Sequence, residues 1–537
     1  MNPLPQNPRA LDWRVVAAWA AIVIVYVLLR LPGIGVPLDR DEGAFGYMGQ
    51  LINHGGLPYR DGLDHKPPVA FYINALALHL VPATAQGVHS FLLVYNFLTL
   101  ICLFYISKLY FESRSAGLWC ALAYAVFSAS PAIQGFTAST EMWSLLPVSF
   151  SLLLALLGVK KHGGVKNGRA LMFASGVAGA IACWTKQTAV TSVLFVLVVV
   201  STDLLWSGSR TIRERVSAFF YWIAGAGVLS AGIAIYFFEH GIFSEFIYWC
   251  FVYDLSYTAA GSTAGNLSEF VVRLAELGQG DFAVLAIGLG AAISSIVRRK
   301  KEGYFAALFL ALSFLGTVPG YAYRRYFAQL APAVALGSGY GLWILIDKVR
   351  QDLRTLAGIG AGLAIIAVPV FANDHYFLER DPNAISRIYY GPNPFPESRE
   401  LAAFVSSETA PDDPILIVGS EPQILFYAQR RSSSLFLMIY PLLNTHSRYK
   451  EFQRTMLEDI RKSPPKCIIA VMNVPYSLLW DNRADLDAIH NLEDLAQREY
   501  DVDRVMLLSG TAGEWVDPQD ARIDADHPFI CIFKKKI

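Results

Sequence analysis

Charged residues are scarce in this sequence of 537 residues. Asp, Glu, Lys and Arg make up 16% of it, hydrophobic residues make up 54%, and the mean hydropathy is +0.39. A soluble globular protein carries about 25% charged residues. The shortage of charge therefore excludes an ordinary soluble protein for the chain as a whole and indicates an integral membrane protein.

Cysteine is rare, and the common nucleotide signatures are missing. The six cysteines are Cys102, Cys120, Cys183, Cys250, Cys467 and Cys531. They show no metal-ligand spacing, so we interpret them as small buried apolar residues, and we do not expect a Cys467–Cys531 disulfide. There is no Walker A motif and no GxGxxG between a strand and a helix. A nucleotide substrate is therefore not indicated, and no nucleic-acid partner is expected.

The charge that is present is unevenly distributed. Residues 374–537 hold 25 acidic and 18 basic residues, a net of −7, whereas residues 1–373 hold the other 19 acidic and 26 basic residues, a net of +7. This asymmetry predicts two domains, a membrane domain over 1–373 and a soluble α/β domain over 374–537. No small-residue cleavage site follows the apolar run 15–31, which we interpret as a retained first span.

Eleven apolar segments are candidates for crossing the bilayer. They are 13–31, 89–107, 116–131, 142–159, 170–186, 189–206, 217–237, 282–297, 304–319, 326–346 and 356–373. The segment 67–81 is apolar but has only about 15 residues, so we predict that it lies at the interface or re-enters the membrane. The expected fold is an α-helical polytopic membrane protein with about 11–13 spans.

Basic clusters between these segments indicate one orientation. The clusters lie at 108–114, 160–169, 210–215, 298–301 and 348–354. The positive-inside rule assigns all five to the cytoplasm, together with Arg9 and Arg14. The N-terminus is then cytoplasmic. The outer face receives the first loop, 32–88, several shorter loops, among them 238–281, and the whole tail from Asp374.

The tail has the pattern of a small α/β domain. Strands are predicted at 414–419, 466–472, 502–508 and 528–533, and helices at 421–429, 448–462 and 486–498. Strands that alternate with helices favour a layered sheet. The segment 391–396, GPNPFP, is interpreted as a rigid linker into this domain.

Ionisable residues at the outer ends of the spans form the candidate site. They are Asp41, Glu42, Asp61, His65 and Lys66 in the first loop, and Glu141, Lys186, Arg324 and Arg325 at later spans. Capping of a short helix at 43–53 accounts for Asp41 and Glu42 taken alone, and snorkelling accounts for each of the others. Together, however, they place three carboxylates and several cations at one depth, where charge is expensive.

Such a set fits one kind of chemistry. Cations at the interface suit a phosphate whose lipid tail stays in the bilayer. A nearby carboxylate can take the proton of an acceptor hydroxyl that attacks a sugar carbon, and the cations stabilise the leaving phosphate.

The first loop resembles a known family. Asp41-Glu42, the Gly56-Leu57-Pro58-Tyr59-Arg60-Asp61 segment and Lys66-Pro67-Pro68 with Tyr72 behind it are similar to the glycosyltransferase family 39 group of the GT-C superfamily. That group includes protein O-mannosyltransferases and lipid A aminoarabinose transferases. The similarity is strongest over residues 30–75 and continues weakly through Glu141, Lys186 and Arg325. It implies a GT-C fold in a bacterial inner membrane, a polyprenyl-phosphate sugar as donor, and a glycan, lipid or protein acceptor.

The resemblance also implies roles for single residues. Asp41 would be the general base, with Glu42 beside it, and Glu141 the second acidic residue. Lys66, Lys186 and either Arg324 or Arg325 would bind the donor phosphate, and we favour Arg325 because Tyr326 follows it. Tyr59, Asp61, His65 and Tyr72 would shape the substrate loop. Many aminoarabinose transferases have Glu at the place of His65, so a metal contact is not carried over; a divalent metal is possible but not predicted as required.

Two other functions are consistent with a polytopic chain. One is a transporter or flippase of lipid-linked envelope precursors, and the other is an accessory protein or receptor whose tail binds a partner. Transporters usually carry ionisable residues near the bilayer midplane, often with internal repeats. Here the charges gather at one face and no repeat is visible, which favours the enzyme. The sequence identifies neither the sugar nor the acceptor.

Overall fold

The computed structural model describes residues 13–161, 165–203, 210–261, 264–474, 485, 487–510, 512–519 and 527–536. Arg9 and residue 486, where a helix was predicted to begin, lie outside these ranges.

The part of the chain before Asn373 is helical. Its helices are α1 (Trp13–Leu28), α2 (Leu31–Ile34), α3 (Arg40–Asn53), α4 (Pro68–Leu80), α5 (Ala85–Tyr110), α6 (Arg114–Phe127), α7 (Thr140–Lys161), α8 (Val165–Thr185), α9 (Val190–Ser201), α10 (Ile212–Glu239), α11 (Phe243–Ile247), α12 (Asp254–Gly261), α13 (Ala264–Gly280), α14 (Phe282–Val297), α15 (Lys301–Leu315), α16 (Ala331–Asp347) and α17 (Arg354–Ala372). Each of the eleven predicted apolar segments overlaps one of them.

Several of these helices suit a bilayer. Those long and apolar enough to cross it, within the described ranges, are Ala85–Tyr110, Thr140–Lys160, Ile212–Glu239, Arg324–Asp347 and Arg354–Ala372. A sixth candidate is the pair α13 and α14, which is bent by 95°. Large apolar side chains are exposed along α10 and α17, as lipid contact requires. The chain is an integral membrane protein.

Helix α4 is the apolar segment predicted not to cross. Its 13 residues are too few for a bilayer core. Tyr72, Leu76 and Leu80 recur every four residues and are exposed, while Phe71 and Ala75 are buried. One face of α4 therefore packs on the protein and the other is free for lipid.

The helix connections separate the basic clusters from the candidate site. The five clusters fall at the junctions α5/α6, α7/α8, α9/α10, α14/α15 and α16/α17. Glu141 begins α7, Lys186 follows the last residue of α8, and Arg325 precedes α16, so each lies at the other end of its helix. This separation is what the predicted orientation requires.

The tail contains helices and one sheet. Its elements are α18 (Asp374–Phe377), α19 (Pro382–Tyr390), α20 (Ser398–Glu408), β1 (Ile415–Val418), α21 (Pro422–Ala428), α22 (Tyr440–Leu443), α23 (Tyr449–Lys462), β2 (Cys467–Met472), α24 (Asp487–Glu499), β3 (Tyr500–Ser509), β4 (Ala512–Val516) and β5 (Phe529–Lys535). The strand order is β1-β2-β5-β3-β4, with β1 and β2 parallel and the other pairs antiparallel. The predicted α/β class is confirmed.

The cysteines of the sheet do not face each other. Strands β2 and β5 are neighbours, but Cys467 lies opposite Lys534 and Cys531 lies opposite Ala470. All six cysteines are free thiols.

The tail packs directly on α3. The α-carbon of Gly43 lies so close to α21 that an added β-carbon would be 2.4 Å from the backbone of Gln423. Beside this contact, Arg40 pairs with the buried Glu421 at 2.8 Å and donates to Asn393 Oδ1 at 3.1 Å. Asn393 belongs to the predicted linker 391–396, which is therefore held against α3.

We expect Gly43→Ala to destabilise the protein by about 1–3 kcal/mol, because the new methyl group overpacks the α3–α21 contact. Thermal unfolding in detergent, followed by proteolysis of the tail, measures the effect. Gly278→Ala is the matched control, since an added β-carbon there has no neighbour within 4 Å. Equal unfolding midpoints for the two variants would contradict the importance of this contact.

Candidate functional site

The first turn of α3 presents three carboxylates with different surroundings. Asp39 is the N-cap: its side chain accepts from the backbone N–H of Glu42, and the Glu42 carboxylate accepts from the N–H of Asp39. This capping box starts α3 at Arg40, three residues before the predicted start. Glu42 also accepts from Ala138 N at 2.6 Å and lies 2.8 Å from His89 Nε2. In the structure Glu42 is buried and completes the capping box, and its predicted catalytic role stays a prediction.

Asp41 is the carboxylate that remains accessible. Its side chain is 27% exposed, against 2% for both Asp39 and Glu42. The Nη1 atom of Arg325 lies 3.1 Å from Asp41 Oδ2 and 3.3 Å from Asp39 Oδ2. Burial raises the pKa of Asp39 to about 6, although Arg325 opposes this shift. The guanidinium of Arg325 therefore pairs with the carboxylates of both Asp39 and Asp41.

Glu141 and Lys186 form a second ion pair in the same region. Glu141 lies in the first turn of α7, and Lys186 follows α8. Lys186 Nζ is 2.9 Å from Glu141 Oε1, and both side chains are buried. The same ammonium lies 5.0 Å from the ring centre of Tyr326, a cation–π distance.

Lys66 is buried next to His65. Lys66 Nζ lies 2.7 Å from His65 Nε2, and Tyr59 donates a 2.7 Å hydrogen bond to the Lys66 carbonyl. Burial, together with the charge of Lys66, lowers the pKa of His65 well below its ordinary value, so the neutral ring accepts from the ammonium. Burial and the nearby charge of Lys186 also lower the pKa of Lys66.

These groups converge although they are scattered along the chain. Lys66 interacts electrostatically with Asp41 and Lys186, and Arg325 interacts with Glu141 as well as with Asp41. The structure therefore brings together the five predicted residues Asp41, Lys66, Glu141, Lys186 and Arg325. We call this set the charge cluster. It combines three cations that can hold an anion with one accessible carboxylate that can accept a proton.

Arg324 has a different partner from its neighbour Arg325. It makes two hydrogen bonds to Glu276 on α13, at 2.9 and 3.0 Å, and its guanidinium lies 5.8 Å from the ring centre of Tyr389. The structure therefore does not bring the Arg324 side chain into the charge cluster.

The predicted loop residues mainly hold the loop in place. Tyr59 has a positive φ of 67° and lies within an aromatic group that includes Phe71 and Phe246. Asp61 accepts from Leu57 N at 2.8 Å and closes a turn. Tyr72 donates to the hydroxyl of Tyr236 at 3.1 Å, on the partly exposed face of α4.

Four residues that surround Lys66 and His65 were given no role in the predicted site. They are Asp254, Tyr257 and Tyr440, and also Asp64, which precedes His65 in the same loop motif and accepts from Lys66 N at 2.9 Å. Asp254 Oδ1 lies 3.6 Å from His65 Nε2, the Tyr440 hydroxyl lies 3.3 Å from His65 Nδ1, and Lys66 Nζ is 5.9 Å from the Tyr257 ring. The only sequence signal was the tyrosine-rich segment 248–257 in the predicted outer loop 238–281.

The surroundings of the site include no metal-binding group among the described residues, and they include part of the tail. Within the described residues, no three His, Cys, Asp or Glu side chains are grouped as a metal site. The tail also contacts neighbours of the charge cluster. Tyr390 donates to Asp39 Oδ2 at 3.2 Å and Tyr440 contacts His65, and these two partners lie next to Arg325 and Lys66 respectively.

The fold is shared with solved structures, although the sequence matches no protein-family model and no curated protein. It is similar to ArnT from Cupriavidus metallidurans bound to undecaprenyl phosphate, with a TM-score of 0.62 and 13% identity over 97% of this chain and 98% of that one. It is also similar to the Archaeoglobus fulgidus oligosaccharyltransferase in its apo form, with a TM-score of 0.51 and 12% identity over 96% and 76% of the two chains.

A third similar structure is the archaeal oligosaccharyltransferase AglB from Archaeoglobus fulgidus, in complex with an inhibitory peptide and a dolichol-phosphate. The TM-score is 0.50 and the identity 13%, over 96% of this chain and 75% of that one. At such identities the similarity establishes the fold. The fold that the resemblance implied is confirmed.

We expect the Glu141–Lys186 pair to show strong coupling in a double-mutant cycle. Glu141→Gln or Lys186→Gln alone leaves a buried charge without its partner and should cost about 3–5 kcal/mol of stability. The double variant should cost clearly less than the sum. Unfolding midpoints in detergent measure all four proteins, and additive costs would show that the pair is not coupled.

We expect Asp64→Asn to change how stability depends on pH. Burial raises the pKa of Asp64 from 3.8 to about 6, so the folded state binds this proton more tightly than the unfolded chain. Asp64 therefore makes stability fall as pH rises from about 4 to about 6, by about 3 kcal/mol. Asn cannot titrate and can still accept from Lys66 N, so the variant should lose this part of the decline. Identical pH profiles in detergent would refute the assignment.

Proposed function

We propose that this protein is a glycosyltransferase that moves a sugar from a polyprenyl-phosphate donor to an acceptor hydroxyl at the outer face of a bacterial inner membrane. The observation that carries the proposal is the position of Asp41. It is a partly exposed carboxylate that pairs with Arg325 and interacts electrostatically with Lys66, whereas the adjacent carboxylates of Asp39 and Glu42 are buried in a helix cap. A base next to an anion site is what transfer from a phosphate leaving group needs.

Lys66 and Arg325 are the residues we assign to the donor phosphate. Arginine can grip a phosphate with two parallel hydrogen bonds, and lysine adds a point charge. Lys186, which is paired with Glu141, adds a further positive charge to this cluster. Support comes from the similar folds, since that ArnT structure holds undecaprenyl phosphate and that AglB structure holds a dolichol-phosphate.

The proposed reaction is a single displacement with inversion. Asp41 takes the proton of the acceptor hydroxyl while the hydroxyl oxygen attacks the anomeric carbon of the sugar. The bond from that carbon to the phosphate oxygen breaks, and polyprenyl phosphate leaves with its charge neutralised by Lys66 and Arg325. The products are the glycosylated acceptor and the lipid phosphate.

Arg325 links donor binding to the base. In the structure its guanidinium pairs with Asp41 and Asp39. A donor phosphate competes for the same guanidinium, and a guanidinium that turns toward phosphate releases the Asp41 carboxylate for the acceptor. The base thus becomes available when a sugar is in place.

The tail has a proposed part in this site. Tyr390 and Tyr440 come from the tail and contact Asp39 and His65, on two sides of the charge cluster. We assign the tail, on the periplasmic side, to capping the site and forming a wall against which an acceptor glycan, lipid or protein is placed.

We expect Asp41→Asn to lower sugar transfer at least about a hundredfold, because the amide cannot accept the proton. The assay uses washed membranes and a panel of undecaprenyl-phosphate-linked mannose, galactose, arabinofuranose and aminoarabinose. It measures both the transferred sugar and the free undecaprenyl phosphate. Asp412→Asn, an exposed carboxylate of the tail, is the matched control and should transfer normally.

The variant should still bind undecaprenyl phosphate, since Lys66 and Arg325 remain. Normal transfer by Asp41→Asn would end the assignment of the base. Movement of intact donor across the membrane, with no release of free undecaprenyl phosphate from any donor by the unmodified protein, would instead indicate a transporter or flippase.

A further inference from the structure

A second basic site lies at the opposite end of the bundle from the charge cluster. It is a cavity of about 710 Å³ lined by Tyr105, Lys108, Leu109, Glu112, Arg114, Leu153, Leu157 and Lys160. Helix α7 connects the two ends, with Glu141 in its first turn and Lys160 in its last. At 1.5 Å per residue these positions are about 30 Å apart, roughly the thickness of the bilayer core.

Helical spacing explains why these residues share one cavity. On α5, Tyr105, Lys108 and Leu109 are three and four residues apart and therefore project from one face. On α7, Leu153 and Leu157 are four residues apart, and Lys160 follows three residues later on the same face. The two faces meet at the cavity, and Glu112 in the α5–α6 connection and Arg114 at the start of α6 add to its lining.

The lining has the character of a lipid site. Lys108, Arg114 and Lys160 supply three positive charges, and Glu112 supplies one negative charge, 3.9 Å from Lys160. Leu109, Leu153 and Leu157 are only half-buried, whereas their neighbours Leu152, Leu154 and Leu156 are buried. The cavity therefore offers surplus positive charge beside an apolar wall that other helices leave open.

We infer that this cavity binds the headgroup of an anionic phospholipid of the adjacent leaflet, with its phosphate on Lys108 and Arg114 and its acyl chains along the leucines. Basic pockets between spanning helices on the cytoplasmic side suit such headgroups, and the positive-inside rule assigns this end to the cytoplasm. Tyr105 is exposed near Lys108, its ring centre 5.8 Å from the ammonium, where an interfacial aromatic residue is expected. A free phosphate would use the same cations but would gain nothing from the apolar wall.

The test uses the purified full-length protein in detergent and fluorescent phosphatidylglycerol, with fluorescent phosphatidylcholine as the uncharged comparison. The double variant Lys108→Gln/Arg114→Gln should bind phosphatidylglycerol about tenfold more weakly. The matched control, Arg298→Gln/Lys300→Gln, removes two exposed cations at the same end but outside the cavity and should bind normally. The variant Lys66→Gln/Arg325→Gln should also keep this binding, which separates it from the charge cluster.

Each other result overturns the inference. Equal weakening in both cytoplasmic variants would mean a diffuse effect of charge, and loss in Lys66→Gln/Arg325→Gln would place the lipid at the charge cluster. Displacement of the lipid by millimolar inorganic phosphate would show that the apolar wall does not contribute to binding. Equal binding of phosphatidylcholine would show that the cations do not select an anionic headgroup. Unchanged elution on size exclusion shows that the variants are folded.

Discussion

The rest of the charge cluster depends on one interaction, the pairing of the Arg325 guanidinium with two carboxylates. Asp39 and Asp41 are two residues apart on one helix turn, and both point at the same cation. Without it, two carboxylates would repel each other at a largely buried position, where the cost of an unpaired charge is several kcal/mol. The segment before α16 therefore determines whether the first turn of α3 can exist as observed. In the other ion pair, Lys186 neutralises the charge of Glu141 in the same way.

A second constraint is that the cluster is assembled from distant parts of the chain. Asp41 and Lys66 come from the first loop, and Glu141, Lys186 and Arg325 come from the ends of three separate helices. Each of these helices holds one group at the same end of the bundle, and the tail packs against the first loop and holds it in place. The apolar bundle thus serves as the frame for a small polar site, as in other membrane proteins where intramembrane charge marks function.

Much of this architecture was predictable from the sequence. Apolar runs located the helices of the bundle, and short apolar runs and helical patterns located four of the five strands and three tail helices, because burial dictates those patterns. Strand β4 was missed, since its five residues are too few to show a pattern and are only half-buried. The site was harder. Arg324 and Arg325 are adjacent and alike, and only the packing of α13 decides that one meets Glu276 and the other Asp41. Asp254 begins α12, in the segment 238–281 that was predicted as an outer loop and that the structure shows to contain α11, α12 and α13.

The direct contact between Gly43 and α21 has a consequence for how this architecture can be divided. The helix that bears the proposed base is part of the first loop and packs on α4 through Gly49, yet its other packing surface, at Gly43, belongs to the tail. The membrane part and the tail are therefore not interchangeable modules. A chimera that exchanged the tail for that of a relative would have to carry α3 and its glycine with it, and a truncated membrane core would leave Asp41 on a helix with nothing above it.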